Sequence, residues 1–109
     1  MRVNIKPLSV NEAWKGRRFK TDKYKRYQRD VMLMLRPLQI PPYPIKLAIS
    51  ITVGYSNAHA DVDNVAKPFI DILQKKYGFN DSRIYMLTLV KEVVKKGKEF
   101  IEFDISESE

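Results

Sequence analysis

The clearest pattern in the chain is a strict alternation. Ile45, Leu47, Ile49, Ile51, Val53 and Tyr55 occupy every second position, with Lys46, Ser50 and Thr52 between them. Successive side chains of a strand point to opposite faces, so this period predicts a half-buried β-strand over residues 45–55. A different period precedes it. Tyr24, Tyr27, Val31, Met34 and Leu35 recur at steps of three, four, three and one, which predicts one apolar face of a helix of about four turns. Lys25, Arg26 and Arg29 fall largely off that face. Thr21 is suited to cap the helix, and Asp22 places a negative charge in its first turn. Pro37, Pro41, Pro42 and Pro44 forbid continuation and predict an extended connector.

After the polar break Ser56–Ala60, Val62, Val65, Ala66, Phe69 and Leu73 define one side of a second helix. Asp63, Lys67, Asp71 and Lys75 line another side at i, i+4 spacing. Pro68 lacks an N–H and clashes with the preceding turn, so an irregular first turn is expected, with regular helix from near Lys67 to Gly78. Phe79–Ser82 then reads as a turn. Arg2–Leu8 reads as a short strand and Ser9–Lys20 as a loop. Ile84–Val94 and Glu99–Ile105 read as a hairpin through Lys95–Lys98, with Ser106–Glu109 a frayed tail. The order β, α, β, α, β, β over a single domain, residues 1–109, predicts an α/β (α+β) fold: a small mixed sheet of about four strands packed with two main helices.

Composition narrows the chemistry. The chain has no cysteine, which excludes a disulfide scaffold, thiolate metal sites and a cysteine nucleophile together. Its single histidine excludes a multi-histidine zinc site and leaves His59 as the one imidazole. No stretch is apolar enough to span a bilayer or to act as a secretory signal, so a cytoplasmic protein without membrane contact is expected.

The net charge of +7 is unevenly distributed. Residues 1–54 hold twelve Lys and Arg against three acids, whereas residues 55–109 hold eight against ten. Lys15, Arg17, Arg18, Lys20, Lys23, Lys25, Arg26 and Arg29 fall in one short stretch opposed only by Asp22. Such a stretch attracts a polyanion, and these eight residues are the expected contacts to nucleic-acid phosphates.

Candidate chemistry sits in residues 57–67, with Asp81 beyond the helix. Asp61 and Asp63 can point the same way only across extended backbone; inside a helix they would lie about 200° apart. They therefore suit a shared ion only if Asp61 precedes the helix. Carboxylate oxygens without His or Cys partners favour Mg²⁺ or Mn²⁺. Lys67, one helical turn from Asp63, could stabilise charge developing on a phosphate. Singly these residues have plainer uses: an Asp at a helix start is a common cap, and Asp81 suits a turn.

Taken together, Asp61-Val-Asp63-Asn64-Val-Ala-Lys67-Pro-Phe-Ile-Asp71-Ile-Leu73, followed by Gly78-Phe-Asn-Asp81-Ser-Arg-Ile84, resembles the RusA family of Holliday-junction resolvases. The family pattern is D-x-D-N-x-x-K-x-x-x-D-x-L, then an Asp in a turn ahead of a strand. The resemblance implies a small α/β homodimer that binds four-way or other branched DNA and cuts two opposing strands using Mg²⁺, in recombination and repair. It implies that Asp61, Asp63 and Asp81 form the catalytic metal-binding cluster and that Lys67 is the catalytic lysine. Asn64 and Asp71 match the pattern without an assigned role. Family members often carry two adjacent acids at the turn; here the first is Asn80. Two other readings share these residues: a non-catalytic junction- or duplex-binding protein of the same fold, and a Mg²⁺-dependent nuclease acting on flaps, single strands or other branched DNA.

Overall fold

The computed structural model describes residues 1–15 and 19–108. In chain order the elements are β1 (Arg2–Val3), α1 (Val10–Ala13), β2 (Trp14–Lys15), β3 (Phe19–Lys20), α2 (Asp22–Met34), β4 (Leu47–Tyr55), α3 (Val62–Tyr77), a 3₁₀ turn (Asp81–Arg83), β5 (Ile84–Val93) and β6 (Phe100–Glu107). β1, β6, β4 and β5 form one mixed sheet in that order, and β2 and β3 pair separately. This is the expected mixed α+β architecture, with two long helices and the short α1.

Strand β4 occupies the middle of the sheet because its alternation supplies a fully apolar face. Leu47, Ile49, Ile51 and Val53 are all buried. They meet Val65, Ala66, Phe69, Ile72 and Leu73 of α3 and Tyr24, Tyr27 and Val31 of α2 in one continuous core. Phe69 packs edge-on against Phe103 of β6, with ring centroids 5.5 Å apart. Ser50, Glu102 and Asp104 fall on exposed positions of the same strands, so the helices cover one face and the other carries polar side chains. Thr21 caps α2 as expected, its Oγ1 accepting from the Tyr24 N–H at 3.1 Å.

Beyond the tail, whose Ser106 and Glu107 pair with Ala48 and Leu47 as the end of β6 rather than fraying, four expectations change. The first strand is only Arg2–Val3, and the segment read as a loop contains α1 and the β2–β3 pair. Met34, placed on the apolar face of α2, is 47 % exposed at the helix end, while Leu35 just beyond is buried. Helix α3 is regular from Val62, and Pro68 lies in its interior rather than at its start. There the ring is buried within a helix that continues to Tyr77.

The fourth change concerns topology. β5 and β6 do not pair with each other: β5 runs parallel to β4, and β6 runs antiparallel to β4 on its other side. The connector between them crosses the end of β4, where the Val94 N–H donates to the Tyr55 carbonyl at 3.0 Å. The reason lies in α3. Once that helix lies on β4, the following strand is delivered beside β4 in the same direction, as β–α–β crossovers require. The central strand then still has one open edge, which β6 fills. Gly54 sits there opposite Phe100, whose ring would stand 2.3 Å from any β-carbon at position 54.

Candidate active site

The β4–α3–β5 unit builds a groove of about 350 Å³ along one side of α3. Asp63, Lys67, Asp71 and Gln74 reach it from the helix, Asp81 from the 3₁₀ turn, and Ile84, Leu87 and Leu89 from β5. The helical contributors are separated by four, four and three residues, which places them on one stripe. Three members of the i, i+4 polar face seen in the sequence, Asp63, Lys67 and Asp71, thus line the groove, and Lys75 does not. A larger cavity of about 520 Å³, between Arg2, Asn4, Lys98 and Glu99, holds no comparable cluster of acids.

Each expected site residue has a definite place. Asp61 is the N-cap of α3, in extended backbone at φ −84° and ψ 126°, and its side chain makes no capping hydrogen bond. It therefore precedes the helix, the arrangement under which residues 61 and 63 can act together, but it does not line the groove. Asp63 is exposed in the first turn, where its Oδ1 accepts from the Asn64 N–H at 3.0 Å. Lys67 and Asp81 are also exposed and face the same space. His59 lies in the preceding loop, its backbone N–H donating to Asn57 Oδ1 at 2.9 Å.

Sequence reasoning left Asp71 without a role, yet it is the most sheltered acid of the groove. Burial raises its pKa above the ordinary value, the neighbouring Lys67 opposes the shift, and the Asp81 carboxylate reinforces it. Its spacing, one turn beyond Lys67 and two beyond Asp63, is legible in the sequence; its partial burial beside Asp81 is not.

The turn bearing Asp81 is held from several sides. Gly78 ends α3 in the left-handed region at φ 71°, a conformation glycine adopts without a side-chain clash. Asn80 Oδ1 accepts from the Ser82 N–H at 2.8 Å, so the residue at this turn position serves as its cap. Arg83 anchors the far end by donating to the carbonyls of Pro41 at 2.6 Å and Ile45 at 2.8 Å. It thereby binds the proline-rich connector to the site.

The basic residues divide. Arg17 and Arg18 lie outside the described residues, as does the side chain of Lys15. Lys23 pairs with Glu12 at 3.2 Å and Arg29 with Asp30 at 3.5 Å. Among the described residues, Lys25 and Arg26 are exposed and form no ion pair. Lys20 comes next to Lys75 of α3, and that neighbouring ammonium, then partial burial, lowers its pKa, while Asp71 pulls it upward. Lys20 of the basic stretch therefore lies near Asp71 and Lys75 of α3.

Among the described residues, no three His, Asp or Glu side chains already stand close enough to enclose a metal ion. The oxygen donors on the groove wall are nonetheless the carboxylates of Asp63, Asp71 and Asp81 with the carboxamide of Gln74, hard oxygens of the kind that Mg²⁺ or Mn²⁺ prefers. No helix among the described residues is long and apolar enough to cross a membrane.

These features define a small α+β domain with an acid-lined groove and exposed cations on α2. The family model for endodeoxyribonuclease RusA matches residues 5–103, nearly the whole chain. The protein belongs to the RusA family of endodeoxyribonucleases. No individual curated protein matches the chain significantly.

Proposed function

We propose that this protein is a Mg²⁺-dependent, structure-selective endodeoxyribonuclease that resolves four-way DNA junctions by paired cuts. The observation that carries this reading is the groove in which Asp63, Lys67, Asp71 and Asp81 converge, within a chain matched to the RusA family. Asp63 and Asp81 would hold the ion, with Asp61 joining from the start of α3 when substrate is present. Bound there, Mg²⁺ would supply a polarised phosphate and a water of lowered pKa. Lys67 brings a positive charge to the groove, where it can offset charge developing on the phosphoryl oxygens. The exposed Lys25 and Arg26, with Lys20 at the groove, would hold backbone phosphates without reading sequence.

Paired cuts need two sites, so a homodimer is part of the proposal. The support is β5, an edge strand of ten residues with no partner on its outer side among the described residues. Tyr85, Met86, Leu87, Val90 and Val93 on it are each at least 44 % exposed. A long apolar edge strand invites another strand, and a second copy there would join the two grooves through Leu87 and Leu89.

The deciding experiment incubates the protein with synthetic four-way junctions, flaps and linear duplex, in Mg²⁺ or in EDTA. Symmetric cuts in junctions alone, abolished by EDTA, are expected. Cutting restricted to flaps would favour a different branched-DNA nuclease, and binding without cutting would favour a non-catalytic DNA-binding protein.

A further inference from the structure

Gln74 hydrogen-bonds to two acidic residues of the groove at once. Its Nε2 donates to Asp71 Oδ1 at 3.4 Å, and its Oε1 accepts from the Asp81 backbone N–H at 3.1 Å. The orientation of the carboxamide is chemically forced. A backbone N–H can be met only by the amide oxygen, which turns the amide nitrogen towards the carboxylate. We propose that Gln74 is a positioning residue that fixes Asp81 relative to Asp71 and so sets the spacing of the carboxylates across the groove.

The covalent path shows why such a tie is needed. Asp71 is carried by a regular helix whose inner face is locked into the core through Phe69, Ile72 and Leu73. Asp81 lies beyond the helix end, past Gly78, in a three-residue turn whose outer residues are exposed. Asn80 and Arg83 fix the shape of that turn and its contact with the connector through hydrogen bonds within the turn and to Pro41 and Ile45. Gln74 supplies the link from helix to turn, one helical turn after Asp71 on the same stripe. In metal sites, groups that hold a ligand in place typically change metal affinity or activity by about 10–100-fold when removed.

The inference rests on the proposed metal-dependent reading, and its test separates the two. Gln74→Met keeps the length and apolar stem of the side chain but loses both hydrogen bonds; Gln74→Ala is a second variant that suits a helix. Three measurements apply to each: amide hydrogen exchange at Asp81, calorimetric titration with Mn²⁺, and the Mg²⁺ concentration for half-maximal junction cleavage. Faster exchange at Asp81, with Mn²⁺ affinity and the Mg²⁺ midpoint each weakened about tenfold, is expected. Junction affinity in EDTA should stay within about twofold of wild type, because Gln74 is placed on the acids and not on DNA. Unchanged Asp81 exchange, or an unchanged Mn²⁺ affinity, in either folded variant overturns the positioning role. If the wild-type protein cuts no DNA, the functional reading fails on its own, while exchange and calorimetry still decide the role of Gln74.

Discussion

Lys91 Nζ donates to the carbonyl oxygen of Ala60 at 2.5 Å, tying the edge strand to the residue immediately before Asp61. The same ammonium also donates to the Ala58 carbonyl at 2.6 Å. Lys91 stands beside Val53 in the parallel register, so one side chain bridges from the sheet to the loop that launches α3. Lys91→Met should leave the sheet intact, lower stability by about 1 kcal/mol and speed amide exchange across residues 57–60. Urea unfolding with residue-resolved exchange checks both.

The acids of the groove should affect cutting and binding separately. Asp63→Asn and Asp81→Asn are each expected to reduce junction cleavage by at least about a hundredfold while junction binding in EDTA persists. Asp61→Asn should do the same if the residue before the helix joins the ion during reaction. Equal loss of binding and cleavage in a folded variant would count against the catalytic assignment. Gel-shift and cleavage assays on one labelled junction make the comparison.

Phosphate contact by the exposed cations has a signature in salt. Replacing Lys25 and Arg26 together by alanine should flatten the plot of log affinity against log salt by up to about two, roughly one per lost contact. Lys23 and Arg29 already face Glu12 and Asp30, so their replacement should change the slope less. Fluorescence anisotropy at several salt concentrations distinguishes the pairs.

Alkaline pH should weaken the fold through the tyrosines of α2. Burial, and then the nearby Asp71 carboxylate, raise the Tyr24 phenol from 10.0 to about 12. Burial likewise raises Tyr27. The folded protein keeps these protons where the unfolded chain has released them. Stability from this source is therefore intact below the unfolded value of 10.0 and declines as pH rises towards the folded values. Tyr24→Phe should shrink the drop in urea midpoint between about pH 9 and about pH 11.

A charge on the open edge should separate the protomers. Val90→Lys places an ammonium on β5, where charged side chains oppose strand-to-strand association. Sedimentation should shift towards a monomer, and paired cuts should give way to single nicks. A dimer that survives the substitution would place the interface elsewhere.

Much of this molecule was legible in one dimension. The period of two over residues 45–55 put a strand where β4 runs from Leu47 to Tyr55, and the helical period from Tyr24 with the cap at Thr21 put a helix where α2 runs from Asp22 to Met34, because each reflects local geometry. The stripe Asp63, Lys67, Asp71 and Lys75 was visible for the same reason, since helical spacing fixes which side chains share a face. The uneven charge and the missing cysteines needed no fold at all.

What required the tertiary structure is who neighbours whom. Two apolar-rich strands joined by a short glycine-containing link look like a hairpin whether or not they pair; only the burial of α3 on β4 sends β5 to one side and β6 to the other. The same placement brings the turn at Asp81 alongside Asp71 and lets Gln74 join them, although its amide carries no sequence mark of that role. The sequence alone determined the long elements and the kinds of polar group they carry, because those depend on residues a few positions apart; the short α1 and the β2–β3 pair it did not. Only packing decided which acids share a groove, because that depends on how a helix face and a sheet face are buried together.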